Sequence, residues 1–290
     1  MPRSSLIDGF SLAYDRAGEG PPGLLLHGWP GRRTDFRAVV PLLTDAMDVV
    51  VPDLRGFGES DKHPVDPAEG YSVAAQARSV VGLMDDLEFD GVLLAGYDIG
   101  SRIAQAAARA EPERVRALVL SPPLPGVGSR VLTADAQREF WYQPFHHLPL
   151  AEELIDGKPD AVRAYLRHFW DHWSGPAFAL ADTELDALVK DYAQPGAFTA
   201  SIAWYRAGAG MVAMSVAERA PAPGDRIAQP TRVLWPEHDP LFPVEWGDRL
   251  DEHFARVTLT RLPDSGHFMP LEAPEALAGA IRESAAQHLP

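Results

Sequence analysis

Short apolar runs alternate with helical patterns along the chain up to Leu120. Gly23-Leu24-Leu25-Leu26-His27 reads as a buried strand, and so do Val49-Val50-Val51, Val92-Leu93-Leu94-Ala95 and Ala117-Leu118-Val119-Leu120. Uninterrupted apolar runs of this length suit parallel strands covered on both faces. Between them lie helical stretches. After Tyr71, the positions Val73, Ala77, Val80, Met84 and Leu87 recur every three or four residues, one face of a helix. Ser101 to Glu111 is alanine-rich and closes at Pro112. Strand–helix alternation predicts an α/β fold, a mostly parallel sheet with helices on both faces.

The alternation stops at Pro122-Pro123-Leu124-Pro125 and resumes after Pro221-Ala222-Pro223-Gly224. The block between is helical in pattern, with Asp160 to Trp173 and Asp182 to Tyr192 as its clearest helices, and it holds half of the chain's aromatic residues. Strand character returns at Thr231-Arg232-Val233-Leu234-Trp235 and at Val257-Thr258-Leu259. A last helix opens with Pro274 in its first turn and repeats Leu277, Ile281 and Ala285. The expected organisation is a core formed by 1–123 and 223–290, with 124–222 inserted as a helical cap.

Composition narrows the chemistry. The 290 residues suffice for one large domain with an insertion, and 46% apolar with 23% charged residues is ordinary for a globular protein. A net charge of −15 argues against a nucleic-acid partner. The absence of cysteine removes disulfides, thiolate nucleophiles and zinc–sulfur sites. No leader and no membrane span is expected, which makes a cytoplasmic location the default.

The sequence Gly96-Tyr97-Asp98-Ile99-Gly100 stands between a strand and a helix. A nucleophile on a tight strand-to-helix turn needs small residues two positions away on either side, so that the backbone can bend and lift the side chain from the sheet's edge. The alternative is a plain turn. Serine is the usual occupant, yet no Gly-x-Ser-x-Gly occurs here, and Asp98 holds the position. A carboxylate is ionised at neutral pH without help from a base. It can attack an electrophilic carbon to form an ester, whose hydrolysis then requires an activated water.

Two further segments supply that activation. Asp239 follows the strand ending at Trp235, and His267 follows the last strand within Ser265-Gly266-His267-Phe268. The order Asp98, Asp239, His267 is the nucleophile–acid–histidine order of such elbows. His267 can draw a proton from water while Asp239 fixes its tautomer. Glu237 and Asp264 compete for the orienting role, but Asp264 would need a local turn. His27-Gly28-Trp29-Pro30 follows the first buried strand, where the Trp29 amide can pair with the Ile99 amide as an oxyanion hole. His168 and His172 sit four apart with no third metal ligand in view, and His146-His147 reads as a loop. No metal and no organic cofactor is expected.

Taken together, these motifs resemble the α/β-hydrolase superfamily over the whole chain, and within it the epoxide hydrolases. Asp53-Leu54-Arg55-Gly56-Phe57-Gly58-Glu59-Ser60 is similar to that family's turn after its fourth strand. Phe140-Trp141-Tyr142-Gln143-Pro144 and Ser201-Ile202-Ala203-Trp204-Tyr205-Arg206 resemble its two cap tyrosine segments. The resemblance implies that Tyr142 and Tyr205 hydrogen-bond the epoxide oxygen as the ring opens. A phenol suits that role because it offers both a hydrogen bond and a proton at neutral pH. Trp29, Trp141, Trp204 and Phe268 are expected to line a site for a small apolar epoxide, with water as second substrate, and a homodimer is left open.

Departures from the family define the rivals. Tyr97 stands where many relatives carry histidine, and Ile99 where many carry tryptophan or arginine. Haloalkane dehalogenases share the aspartate–histidine–aspartate set but use that tryptophan to hold halide. Fluoroacetate dehalogenases resemble this chain at Arg102 yet also use an arginine directly after the nucleophile. A ligand-binding relative without activity is the non-enzymatic alternative, since a fold does not dictate its function.

Overall fold

The computed structural model describes residues 1–289. One seven-stranded sheet runs through it in the order β1-β3-β2-β4-β5-β6-β7. The strands are β1 (Tyr14–Ala17), β2 (Pro22–Leu26), β3 (Asp48–Pro52), β4 (Val92–Gly96), β5 (Val115–Leu120), β6 (Thr231–Pro236) and β7 (Val257–Leu262). All pairings are parallel except that of β1 with β3. The α/β architecture read from the alternation is the one observed. Every residue of β3 and β4 is buried, as the continuous apolar runs require. β7 is an edge strand, and most of its residues are exposed.

The sequence reading missed β1. Its four residues, Tyr-Asp-Arg-Ala, carry no apolar run, and their burial is only partial. Strand geometry there comes from the neighbour β3, not from local preference.

Helices cover both faces. The helix Val73–Asp86 is capped by the Ser72 hydroxyl, which accepts from the Ala75 amide at 3.4 Å, and it buries Ala77, Val80 and Met84. The helix Ile99–Ala110 starts two residues before the expected Ser101, because Asp98 itself is its first cap. Pro274–His288 closes the chain.

From Ala134 to Ala217 the described structure is helical, and it lies across the carboxyl ends of the strands. Pro159–Trp173 and Asp182–Tyr192 are the longest helices of this layer. Ion pairs hold it to the core: Arg32 with Asp191 and Arg37 with Glu184. Trp29, from the core, inserts among Tyr142, Phe169, Trp173 and Tyr205 with ring centroids 4.9–6.0 Å away. Burial of such aromatic area stabilises the contact between this helical layer and the sheet.

Register aligns the strand ends that matter. Leu26 of β2 pairs with Gly96 of β4, and Gly96 with Leu120 of β5. Pro236 of β6 pairs with Leu262 of β7. Loops leaving β2, β4, β6 and β7 therefore emerge along one edge, the edge where open α/β sheets place ligands.

Candidate active site

The turn after β4 is strained in the way a nucleophile elbow demands. Asp98 has φ 49° and ψ −128°, a region L-residues rarely occupy. The two flanking glycines make it possible. A methyl on Gly96 would lie 2.6 Å from the Gly100 carbonyl, and one on Gly100 would lie 2.1 Å from the Leu26 carbonyl oxygen. Backbone approaches this close exclude any larger residue. The Asp98 amide donates to the Pro122 carbonyl at 2.9 Å, which ties the elbow to the loop after β5.

The carboxylate is held by a backbone amide on one side and faces the His267 imidazole on the other. Its Oδ1 accepts the Trp29 amide at 2.7 Å. Its Oδ2 lies 3.5 Å from His267 Nε2, and that nitrogen is buried without a hydrogen-bond partner. His267 Nδ1 is 2.8 Å from Asp239 Oδ2, and Asp239 Oδ1 accepts the Leu241 amide at 2.9 Å. The Asp239 contact keeps a proton on Nδ1 and aims Nε2 at Asp98. Asp264, the competitor, makes no side-chain bond to the imidazole. The Ile99 amide is the first N–H of the following helix, beside Asp98.

Electrostatics follow from this packing. Burial alone pulls the His267 imidazole down, but the carboxylates of Asp239 and then Asp98 outweigh it and raise its pKa to about 10. A pKa this high keeps the His267 imidazole protonated at neutral pH.

Tyr142 and Tyr205 face Asp98 across a narrow cavity that Ile99, Arg102 and Trp204 also line. Their rings lie 5.5 Å apart and nearly perpendicular. Burial, followed by nearby negative charge, raises both phenol pKa values, so both remain proton donors. The cavity has room for about one water.

Four aromatics were expected to line the site, and they divide. Trp204 does line it. Trp29 stacks behind Tyr142 at 5.6 Å and offers its amide, not its ring, to Asp98. Trp141 is a correction: it is 40% exposed and packs on Phe169 and Tyr165 at the outer face of the cap. Phe268 is a second correction: it is fully buried and stacks on Trp170 at 3.6 Å, behind the histidine. His146, read as a loop residue, closes the helix Tyr142–His146 and is buried against Tyr205, bonded to the Tyr165 hydroxyl at 2.9 Å. His172 pairs with Glu139 at the surface. Among the described residues, no group of three or more His, Asp or Glu is placed to hold a metal.

Three residues around the site escaped the sequence reading. Gln143 donates to the Tyr142 oxygen at 3.3 Å and accepts the Val212 amide at 3.1 Å. Glu272 accepts three backbone N–H groups, from Gly175, Gly266 and Phe268, at 2.7–2.9 Å. It thereby clamps both neighbours of His267 and ties them to the end of the cap helix. Asp35 is buried and accepts the Tyr97 hydroxyl at 2.6 Å. Only Gln143 carried a local signal, its place beside Tyr142; Glu272 and Asp35 act through contacts with no periodicity.

Comparison with known proteins follows the same lines. The chain is 26% identical to a soluble epoxide hydrolase of Corynebacterium sp. (strain C12), over 93% of this chain and 92% of that one. It is 32% identical to a fluoroacetate dehalogenase of Burkholderia sp. over 66% of this chain and 64% of the other. A solved structure of the epoxide hydrolase CorEH without ligand superposes with a TM-score of 0.85 at 25% identity, covering 99% of both chains. The model of the alpha/beta hydrolase fold family matches residues 21–274. With a match spanning strands β2 to β7, the chain belongs to the α/β-hydrolase fold family, and epoxide hydrolases are among its homologues.

Proposed function

We propose that the protein is an epoxide hydrolase that converts a small epoxide and water to a vicinal diol through an ester on Asp98. One observation carries the reading. A buried carboxylate faces an Asp239-backed imidazole 3.5 Å away, with two buried phenols across the same cavity.

Asp98 Oδ2 attacks one ring carbon, and the C–O bond breaks toward oxygen. Tyr142 or Tyr205 gives that oxygen a proton, and the tyrosinate is restored from the imidazolium of His267. Esterification removes the Asp98 charge, one of the two that kept His267 protonated, so the imidazole yields that proton more readily. Neutral Nε2 then takes a proton from water as its oxygen adds to the Asp98 Cγ. The Trp29 and Ile99 amides hold the resulting oxyanion. Collapse expels the diol oxygen, which takes the remaining proton of the added hydroxyl, and Asp98 returns as a carboxylate beside an imidazolium. Epoxide and water are consumed, a diol is formed, and no cofactor takes part in this scheme.

Mass spectrometry of a His267→Gln variant incubated with styrene oxide tests the reading. The expected result is a stable adduct on Asp98. An unmodified Asp98 across a panel of epoxides overturns it.

A second reading is a dehalogenase acting on a halocarboxylate. Arg102 favours it: the side chain is buried against the same cavity, its Nε has no partner, and burial lowers its pKa to about 10. Ile99 argues against it, because it offers no second cation and no side-chain donor for halide. The double variant Tyr142→Phe/Tyr205→Phe separates the two. Diol formation should fail in it, whereas halide release from fluoroacetate or chloroacetate would persist.

A further inference from the structure

The oxyanion loop lies on a buried pair that the mechanism does not use. Tyr97 precedes the nucleophile, and its hydroxyl donates to Asp35 Oδ2 at 2.6 Å. The same oxygen accepts the Arg32 amide at 3.1 Å. Both side chains are buried, with Tyr97 at 1% and Asp35 at 3% exposure. The loop His27–Gly31 rests flat against them. A methyl on Gly28 would lie 2.7 Å from the Tyr97 ring and 2.5 Å from the Asp98 Cβ. One on Gly31 would lie 1.9 Å from Asp35 Oδ2 and 2.7 Å from the Tyr97 hydroxyl. From the other side, the cap residue Tyr192 donates to the Gly31 carbonyl at 2.9 Å. Between those two glycines sits Trp29, whose amide holds Asp98 at 2.7 Å.

We infer that Tyr97 and Asp35 are positioning residues that seat the oxyanion loop against the nucleophile and so keep the Trp29 amide on Asp98. The inference deepens the reading of Asp98 as nucleophile and rests on it. Its physical basis is that a donor works on an oxyanion only when held in place beforehand, and a shift of about 1 Å costs up to about a hundredfold in rate. A hydroxyl bonded to a carboxylate in a dry interior is a stiff anchor. Burial raises the Asp35 pKa to about 7 against the Tyr97 and Arg32 hydrogen bonds, so its ionisation falls near neutral pH. Facing it are Arg32 and Arg37 on its own segment, Tyr97 on the elbow, and Tyr192 on the cap helix. The arginines are themselves paired with the cap residues Asp191 and Glu184.

The test uses the whole chain, with Tyr97→Phe, Asp35→Ala and Asp35→Asn variants. Two measurements are made on each: the Trp29 amide resonance by 1H–15N NMR, and styrene oxide turnover. In Tyr97→Phe and Asp35→Ala the Trp29 amide proton should move upfield toward its position in Asp98→Ala, which lacks the acceptor. Turnover should show kcat lowered about tenfold with KM within about twofold. Asp35→Asn keeps an oxygen for the Tyr97 hydroxyl, so it should recover most of the loss and flatten the dependence of kcat on pH near 7. A Trp29 resonance unmoved in all three variants overturns the inference, and so does a kcat unchanged in Tyr97→Phe. Should Tyr97→Phe not fold, the contrast between Asp35→Ala and Asp35→Asn decides alone: equal resonances and equal rates overturn it. Failure of the nucleophile reading is seen elsewhere, as an unmodified Asp98 in His267→Gln, while the Trp29 resonance reports on the loop regardless of substrate.

Discussion

Replacing Glu272 by alanine should both loosen the fold and slow the proposed chemistry, because one carboxylate holds both neighbours of His267 and the end of the helix Pro159–Trp173 together. Oε2 accepts the Gly175 and Gly266 amides, each at 2.7 Å, and Oε1 accepts the Phe268 amide at 2.9 Å. All three donors belong to buried residues. Hydrogen bonds to a charged acceptor contribute about 1.5–3 kcal/mol each, and orphaned buried donors cost a similar amount. The gross loss is therefore several kcal/mol. Two effects reduce it. Glu272 is only partly buried, so water can reach some of the vacated donors. Burial also raises its pKa against those same hydrogen bonds, a desolvation cost that alanine does not carry. A net destabilisation of about 3 kcal/mol remains, or a fall of about 6 °C in Tm for a chain of this size.

The kinetic arm separates a clamp from mere packing. His267 lies between Gly266 and Phe268, two of the three donors, so freeing them lets the imidazole drift from Asp98. Ester hydrolysis should slow about tenfold or more, with ester formation affected less. Urea denaturation gives the stability change, and single-turnover kinetics gives the two chemical steps. Glu272→Gln, which keeps one oxygen, should fall between wild type and alanine in both. The clamp is refuted by a Glu272→Ala variant that unfolds within about 1 kcal/mol of wild type and hydrolyses its ester at the normal rate.

Other consequences follow from the same geometry. Each of Tyr142→Phe and Tyr205→Phe should lower the rate of ester formation at least about tenfold, and the double variant about a thousandfold, as rapid-quench assays would measure. Asp239→Asn should accumulate the Asp98 ester, since the imidazole loses its orienting partner and kcat falls by about four orders of magnitude. Asp98→Asn mimics the charge of the ester, so the His267 imidazole should titrate at lower pH than in wild type, and an unchanged 15N titration midpoint would contradict the switch. His267 also links stability to pH. Its pKa, pushed up to about 10 in the folded chain, lies above the ordinary imidazole value of 6.5, so its contribution is complete below 6.5 and is lost as pH rises through about 10. Urea melts of wild type and His267→Gln should therefore differ most in acid and converge in alkali.

How far the sequence reaches is set by the kind of constraint each residue obeys. The sheet is legible because a parallel strand buried on both faces must be apolar throughout, as β3 and β4 are. The elbow is legible because Gly96 and Gly100 are backbone requirements with a fixed spacing. β1 is not legible, since Tyr14–Ala17 is shaped by its neighbour and carries no pattern of its own. The four aromatics expected at the substrate site show where spacing fails. Trp141 and Tyr142 are neighbours on a helical turn, where successive side chains point about 100° apart. Tyr142 faces Asp98, so Trp141 must face away, and it emerges at the surface. Trp204 and Tyr205 escape that exclusion because a π-turn follows at Tyr205–Ala209 and both side chains reach the cavity. A π-turn of this sort is frequent at functional sites.

The residues that support Asp98 and His267 are the least legible, and the reason is physical. A nucleophile, a base and an orienting acid are few residue types at ordered places, so chemistry restricts them. Their supports need only present an oxygen or a ring at the right point, from any element that passes nearby. Asp35 reaches Tyr97 from the loop after β2, and Glu272 reaches Gly266 from the single turn Met269–Glu272. Neither position differs in sequence from an ordinary surface carboxylate. What distinguishes them is burial beside backbone that must not move, a property that exists only once β2, β4 and β7 have been brought to one edge. The stiffness of an α/β-hydrolase site is thus a product of the assembled fold, whereas its reacting groups are written into local motifs.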